Sequence, residues 1–187
     1  QVRAQEAVDV ADDLHVRRQR GRVDEAGVAA AEVEPVEEDE RAQHIHGAVH
    51  RLTRHAVVLH CHMPHATALT LTADGALDPA LSQNAMRFMG RMAIDAEYNG
   101  LALDDAEGER IARTMLGGRD VAFLANHGVI VAGPCIAHAY DDLYYLERAC
   151  MHQMLAQSTG RPLRPVDAAL ASRVATQIQG EREQSEL

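Results

Sequence analysis

Two histidines separated by a single residue, His60 and His62, end an apolar run at residues 56–62. If this run is a β-strand, both side chains point to the same face, because alternate residues of a strand share a face. Imidazoles about 6–7 Å apart along a strand can converge on one divalent metal ion. The two histidines could equally form hydrogen bonds at the end of a strand, and the pair alone does not decide between these interpretations.

A third histidine, His127, lies in an Asn-His-Gly sequence between two short apolar runs at residues 121–125 and 129–132. The tip of a tight turn holds a side chain rigidly, and Gly128 permits either a positive φ or a close approach of the backbone. A turn in this place needs no imidazole, which favours a metal ligand. Three neutral imidazoles leave open positions on zinc or a similar ion for water or substrate oxygens, as in catalytic sites.

The histidine spacing also allows other kinds of metal site. His60, His62 and His65 are spaced as in the HxHxDH motif of the metallo-β-lactamase fold, but Pro64 stands where that motif has Asp. Cupins and carbonic anhydrases also bind metals through histidines, although their strand-dominated folds do not fit the long helices predicted for this chain. A three-histidine site of His60, His62 and His127 is therefore the favoured interpretation.

Three more histidines, His44, His46 and His50, lie on a helix predicted over residues 41–54. His46 and His50 are four residues apart and share a face of that helix, but no HExxH pattern accompanies them. We interpret His44 and His50 as surface residues, whereas His46 could face the proposed site.

Helices and strands are mixed along the chain, as expected for an α/β or α+β domain. Asp104 and Glu107 predict a capping box at the start of one helix, and Gly117 predicts its end. Residues 67–71 fit either a helix or a strand. The patterns predict helices over residues 41–54, 82–93, 104–116, 134–157 and 166–178, and strands over residues 55–62, 121–125 and 129–132.

Composition and charge argue against several classes of function. No apolar run reaches the ~20 residues of a membrane span, and we find no secretory signal. A formal net charge of -10 argues against nucleic acid, whose phosphates require basic patches. Three widely spaced cysteines without a CxxC pair indicate neither a disulfide framework nor a zinc knuckle, and they predict a reducing, cytoplasmic location.

The chain contains no lysine, so all 18 of its basic residues are arginines. An enzyme that makes or breaks bonds beside a carbonyl can stabilise the carbanion through a lysine Schiff base or through a metal ion. The first route is closed to this sequence, whereas its histidines leave the second open.

Five motifs occur in order between residues 44 and 157. They are HGAVH (46–50), VVLHCHMP (57–64), SQNAMRF (82–88), ANHGVIVAG (125–133) and YYLERAC (144–150). Together they resemble the class II aldolase/adducin family, which includes fuculose-phosphate aldolase and ribulose-phosphate 4-epimerase, and most closely its uncharacterised bacterial members. The resemblance implies a three-layer α/β/α domain with a mostly antiparallel central sheet, over residues 41–187 and atypical in its N-terminal part.

The resemblance also implies a cofactor and an assembly. The cofactor is a divalent metal ion, Zn²⁺ in the first place and Mn²⁺ or another ion as alternatives, held by His60, His62 and His127. The assembly is a homotetramer with its sites near the subunit boundaries, and the partner expected at each site is a small-molecule substrate.

At the positions of the family's proton carriers the sequence departs from the pattern. The family's sugar-phosphate aldolases carry a glutamate upstream of the paired histidines, and the nearby candidate here is Glu40. They also carry a tyrosine acid after the histidine strand, and the matching position holds Gln83. His46 is a further candidate for general acid–base work. The family's Gly-Asn-(Ile/Leu)-Ser loop for a substrate phosphate is missing.

These features predict a metal-dependent lyase of the aldolase, epimerase or decarboxylase type. It would act on a small hydroxy-carbonyl or sugar-derived substrate through a metal-stabilised enolate. Two alternatives stay open. A non-catalytic, adducin-like interaction module accounts for the altered proton carriers but not for three retained imidazoles. A metal-dependent hydrolase needs a water-orienting carboxylate, and no Asp or Glu lies close in sequence to His60 or His62.

Residues 1–40 form an atypical N-terminal segment by composition. They are rich in Asp and Glu, lack Phe, Tyr and Ile, and contain a single leucine, Leu14. Such a segment has little to bury against the ~1–2 kcal/mol of backbone entropy that each ordered residue costs. We therefore expect that it does not complete the family's sheet and provides no pocket for a substrate phosphate.

Limited proteolysis tests this expectation. It should remove the first ~40 residues while the remainder stays folded, because protease attacks segments with few buried contacts. The boundary can be read from the mass of the resistant fragment. Protection of residues 1–40 from protease, with amide exchange as slow as at residues 57–62, would contradict the expectation that the segment does not complete the sheet. Cleavage of a phosphorylated sugar would contradict the expectation that the phosphate pocket is absent.

Overall fold

The computed structural model describes the backbone of residues 40–185 and the side chains of residues 43–182. The N-terminal segment set apart by its composition, residues 1–39 and the side chain of Glu40, lies outside the described residues. The elements are α1 (Glu40–Thr53), β1 (Val57–Cys61), α2 (Pro64–Thr70), α3 (Gln83–Met86), β2 (Met92–Asp95), α4 (Asp105–Thr114), β3 (Val121–Leu124), β4 (Gly128–Gly133), α5 (Ile136–Ser158) and α6 (Ala168–Ser185).

The four strands form one sheet in the order β1-β4-β3-β2. Strand β4 runs antiparallel to both β1 and β3, whereas β2 runs parallel to β3. The mostly antiparallel sheet implied by the family resemblance is thus confirmed. In this register His60 lies opposite Ile130, and Cys61 lies opposite Val129.

Helices cover both faces of the sheet, which confirms the three-layer α/β/α architecture. Helices α1 and α4 pack on the face that carries Val58, Ala122 and Ile130. Helices α2, α3 and α5 pack on the opposite face, which carries Leu59 and Val129. Because the side chains of a strand alternate between faces, the side chain of His60 belongs to the α1–α4 side.

The chain between residues 82 and 95 folds differently from its predicted helix over 82–93. A single helical turn, α3, begins at its N-cap Ser82, and the backbone then turns through Gly90, whose φ is +76°. The carbonyl of Arg91 accepts hydrogen bonds from the N–H groups of Asp120 and Val121, at the start of β2–β3 pairing. Helical spacing is therefore a poor guide for residues 82–93, because pairing with a distant strand decides the conformation.

Several local predictions are confirmed. The side chain of Asp104 accepts a hydrogen bond from the N–H of Glu107 at 2.9 Å and caps α4, which confirms the Asp104 half of the predicted capping box. The Glu107 carboxylate accepts from Arg110 instead of closing the box. Gly117 follows this helix with a φ of +86°, and the undecided residues 67–71 lie in and just after α2. No helix within residues 40–185 combines the length and the apolar character that crossing a membrane requires.

Candidate metal centre

The three histidines singled out in the sequence come together at one end of the sheet. Each of His60, His62 and His127 offers one ring nitrogen, and these atoms all lie within 4.8 Å of one another. The Nε2 atoms of His60 and His127 are 3.3 Å apart. Nitrogens about 2.0–2.1 Å from a tetrahedral zinc ion would be separated by roughly 3.3 Å. The spacing thus suits a shared divalent ion after at most small side-chain rotations.

A backbone hydrogen bond orients the ring of His60. Its Nδ1 lies 3.1 Å from the carbonyl oxygen of Val129, on the neighbouring strand β4. A carbonyl oxygen can only accept, so Nδ1 carries the proton and Nε2 keeps its lone pair free for a metal ion. The residue is therefore held in the tautomer and orientation that a metal ligand requires.

The surroundings keep His60 and His127 uncharged. Burial, followed by the nearby rings of His127 and His62, lowers the pKa of His60 from 6.5 to about 3. Burial, followed by the charge of His62, also lowers the pKa of His127. Neutral imidazole is the form that binds metal ions, so these rings do not have to lose a proton at neutral pH before binding one.

A close backbone approach explains the glycine after His127. A Cβ atom on Gly128 would lie 2.6 Å from Cδ2 of His62 and 2.7 Å from the carbonyl oxygen of Cys61. Of the two roles expected for Gly128, the close approach is confirmed. The left-handed conformation in this turn belongs instead to Asn126, with a φ of +56°.

Among the other histidines of residues 43–182, only His46 lies beside the group. Its ring centroid is 6.5 Å from that of His60. His44 and His50 are half-buried and engaged elsewhere, with the Asp105 carboxylate and with the carbonyl oxygen of His55, each at 2.8 Å. The metallo-β-lactamase alternative gains no support, since His65 is not part of the group.

The two remaining candidate residues are not seen next to the histidines. Glu40 begins α1, and its side chain is outside the described residues. Gln83 is exposed and begins α3, which packs with α5 on the opposite face of the sheet from His60. Their roles as proton carriers stay predictions.

A cleft beside His127 contains polar residues that the sequence analysis did not identify. Tyr98 is exposed, and its ring centroid lies 6.4 Å from that of His127. Asp95, Glu107 and Arg110 also line this cleft. Because the spacing of residues 82–93 predicts a helix, the sequence predicts neither strand β2 nor the loop that follows it. The sequence Glu-Tyr-Asn-Gly, typical of a loop, was the available signal.

Arg110 orders the acidic wall of this cleft. Its guanidinium donates to Asp95 at 2.6 Å and to both carboxylate oxygens of Glu107, at 2.6 and 2.9 Å. The hydrogen bonds from Arg110 also lower the pKa of Glu107. Both carboxylates are distant in sequence from His60 and His62. A search for acidic residues close in sequence to His60 and His62 therefore does not find Asp95 and Glu107.

Comparison with known proteins identifies relatives for most of the described residues. The model of the Class II Aldolase and Adducin N-terminal domain matches residues 13–154. A solved structure of an aldolase II superfamily protein from Pseudomonas syringae has a TM-score of 0.69 and 34% identity. That match covers 77% of this chain and 58% of the other.

Two curated relatives carry names that bear on activity. A protein of Caulobacter vibrioides named "Putative aldolase class 2 protein" is 35% identical over 118 residues, 63% of this chain and 44% of the relative. Decarboxylase NovR of Streptomyces niveus is 30% identical over 122 residues, 65% of this chain and 44% of the relative. This chain thus spans less than half the length of these curated relatives.

Substituting Gly128 tests the packing of the centre. In Gly128→Ala the new Cβ would overlap the ring of His62 and the backbone of Cys61, so His62 must move. We expect the affinity for Zn²⁺ to fall roughly 10- to 100-fold, the usual effect of disturbing a ligand's support.

Competition with a chromophoric chelator measures this affinity. Gly180→Ala in α6 is the control, because a Cβ there meets nothing within 4 Å. Equal affinities for the two variants would show that the close approach to His62 does not matter.

Proposed function

Because this chain belongs to the class II aldolase and adducin N-terminal domain family, we propose that it is a metal-dependent lyase acting on a small hydroxy-carbonyl or sugar-derived substrate. The observation that carries the proposal is the convergence of three ring nitrogens, from His60, His62 and His127, within 4.8 Å. Bond cleavage beside a carbonyl or carboxylate leaves negative charge that must be stabilised, and the chain has no lysine for a Schiff base.

The donor set supports a divalent ion and favours Zn²⁺. Three neutral imidazoles and no cysteine ligand are typical of catalytic zinc sites, and they leave room for substrate oxygens. When bound, the ion supplies a Lewis acid that stabilises negative charge on a substrate oxygen. His60, with its Nδ1 proton on the Val129 carbonyl, is the most firmly oriented of the three ligands.

The proton carriers that we propose are His46 and Tyr98, on two sides of the histidine group. Their ring centroids lie 6.5 Å from His60 and 6.4 Å from His127, respectively. An imidazole and a phenol can each give or take a proton from a substrate held nearby. Arg110 has its hydrogen bonds directed to the acidic wall, so it holds that wall in place rather than binding a substrate anion.

Decarboxylation and aldol cleavage place the same chemical demands on an active site. Both break a carbon–carbon bond and leave a carbanion beside a carbonyl, which needs the same stabilisation and then a proton. The relative named a decarboxylase supports a lyase in this broad sense.

Histidine substitutions test the metal and the reaction together. His60→Ala and His127→Ala should each lose bound metal and lyase activity, because each removes one of three ligands. His44→Ala should keep both, since His44 only pairs with Asp105. Elemental analysis measures the metal, and release of carbon dioxide or an aldehyde from a panel of hydroxy-carbonyl compounds measures activity.

Equal metal in all three variants would refute the site. Metal binding without any lyase activity would favour the adducin-like interaction module.

We also propose that the chain forms a homo-oligomer, a tetramer by family resemblance, through α5. Ile136, Tyr140 and Tyr144 follow one another at four-residue intervals on this helix and are 53%, 55% and 49% exposed. An exposed apolar stripe of this kind is typical of a protein–protein contact. Leu143, which the sequence places near the same face, lies in the core. Light scattering should give a mass of several chains, and a monomer would contradict the proposal.

A further inference from the structure

We propose that Glu147, on α5, is a positioning residue that holds the metal ligand His62 in place by capping helix α2. The inference rests on the proposed metal site, and it adds a residue that does not touch the ion. Glu147 belongs to the YYLERAC motif, for which the site itself provides no role.

Glu147 supplies the cap that helix α2 lacks. The N-cap residue Met63 makes no capping hydrogen bond with its side chain, and the first N–H groups of a helix have no partner within it. The Glu147 carboxylate accepts a hydrogen bond from the N–H of His65 at 3.0 Å and another from the N–H of Ala66 at 2.9 Å. The His65 ring donates a third, from Nδ1 to Oε1 at 2.7 Å. A side chain 81–82 residues away therefore fixes the first turn of α2.

The orientation of His62 depends on the first turn of α2, whereas the other two ligands are oriented by other elements. It is exposed, and only Met63 separates it from the start of α2 at Pro64. Among the described residues its ring makes no hydrogen bond, unlike that of His60, which is bonded to the Val129 carbonyl. The direction of the His62 side chain therefore comes from its backbone and from packing against Gly128 and the rings of His60 and His127.

Helix α2 also contacts the segment that carries His127. At its C-terminal end, the carbonyl of Thr70 accepts a hydrogen bond from the N–H of Asn126 at 3.1 Å, and Asn126 immediately precedes His127. The helix thus joins the backbone of two ligands, one at each end. Loss of the Glu147 cap frees the end beside His62 and leaves the end beside His127 attached, so the distance between the two ligands is no longer fixed.

The first experiment compares Zn²⁺ affinity in full-length variants by chelator competition. Glu147→Ala should bind Zn²⁺ about 10- to 100-fold more weakly than the wild type, in the range found for residues that support a ligand. Glu147→Gln should lie between them, because its amide oxygen can replace one carboxylate oxygen and keep either the bond from Ala66 or the two bonds from His65. Ser82→Ala is the matched control. It removes the cap of α3, where the Ser82 hydroxyl accepts from the N–H of Ala85 at 3.2 Å, in the same layer but away from the ligands.

A double-mutant cycle separates positioning from general stability. His62→Ala keeps two ligands, His60 and His127, so its weak Zn²⁺ affinity is measured at raised Zn²⁺ concentration. If Glu147 acts through His62, adding Glu147→Ala should weaken this affinity less than twofold. The visible spectrum of bound Co²⁺ should change in Glu147→Ala and stay unchanged in Ser82→Ala, since only the first alters the ligand geometry. Glu147→Gln supplies the same spectral comparison if Glu147→Ala does not fold.

The outcomes distinguish this inference from the proposed function. Unchanged affinity in Glu147→Ala, or the same loss in Ser82→Ala, would overturn the role of Glu147 while the metal site stands. Independent, multiplicative effects of Glu147→Ala and His62→Ala would overturn it as well. A wild-type protein that binds no Zn²⁺ would overturn the metal site itself, and the inference with it.

Discussion

The antiparallel register between β1 and β4 is the constraint on which the candidate site depends. It sets His60 opposite Ile130 and Cys61 opposite Val129, which brings the end of β1 beside the turn that carries His127. A slip of one residue would move the side chain of His60 to the opposite face, into the layer of α2 and α5. The buried side chains on both faces of β1 and β4 prevent such a slip, so the core of the domain also fixes its chemistry.

Each of the three histidines is held by a different physical means. A hydrogen bond to the Val129 carbonyl orients His60, whereas His127 is set by a turn that needs a left-handed residue at Asn126. His62 follows the strand and relies on the start of α2 and on the close approach of Gly128. Because the three supports come from separate elements, the geometry of the group requires the whole three-layer fold rather than one local motif.

The sequence predicted the grouping of the three histidines better than it predicted their surroundings, for a physical reason. Strand alternation and a tight turn are local features, so His60, His62 and His127 could be found from spacing. Strand β2 could not, because helical spacing in residues 82–93 is overruled at Gly90 by pairing with β3. The cleft beyond β2, which contains Tyr98, was not predicted either, because its position depends on β2. The bond between Glu147 and α2 joins residues more than eighty positions apart, a contact that no local pattern encodes.

The energetics of the histidine group favour a binding site over a passive scaffold. Burial disfavours a charged ring and clustered imidazoles repel one another when protonated, which is why the pKa of His60 falls to about 3. A ring nitrogen that faces other imidazoles also gives up hydrogen bonds to water, and such a loss is unfavourable unless a partner replaces them. An apolar side chain in the turn at position 127 would avoid both penalties in a domain that only had to fold or to contact another protein. A divalent ion offsets both, since it binds the neutral rings and satisfies their lone pairs at once.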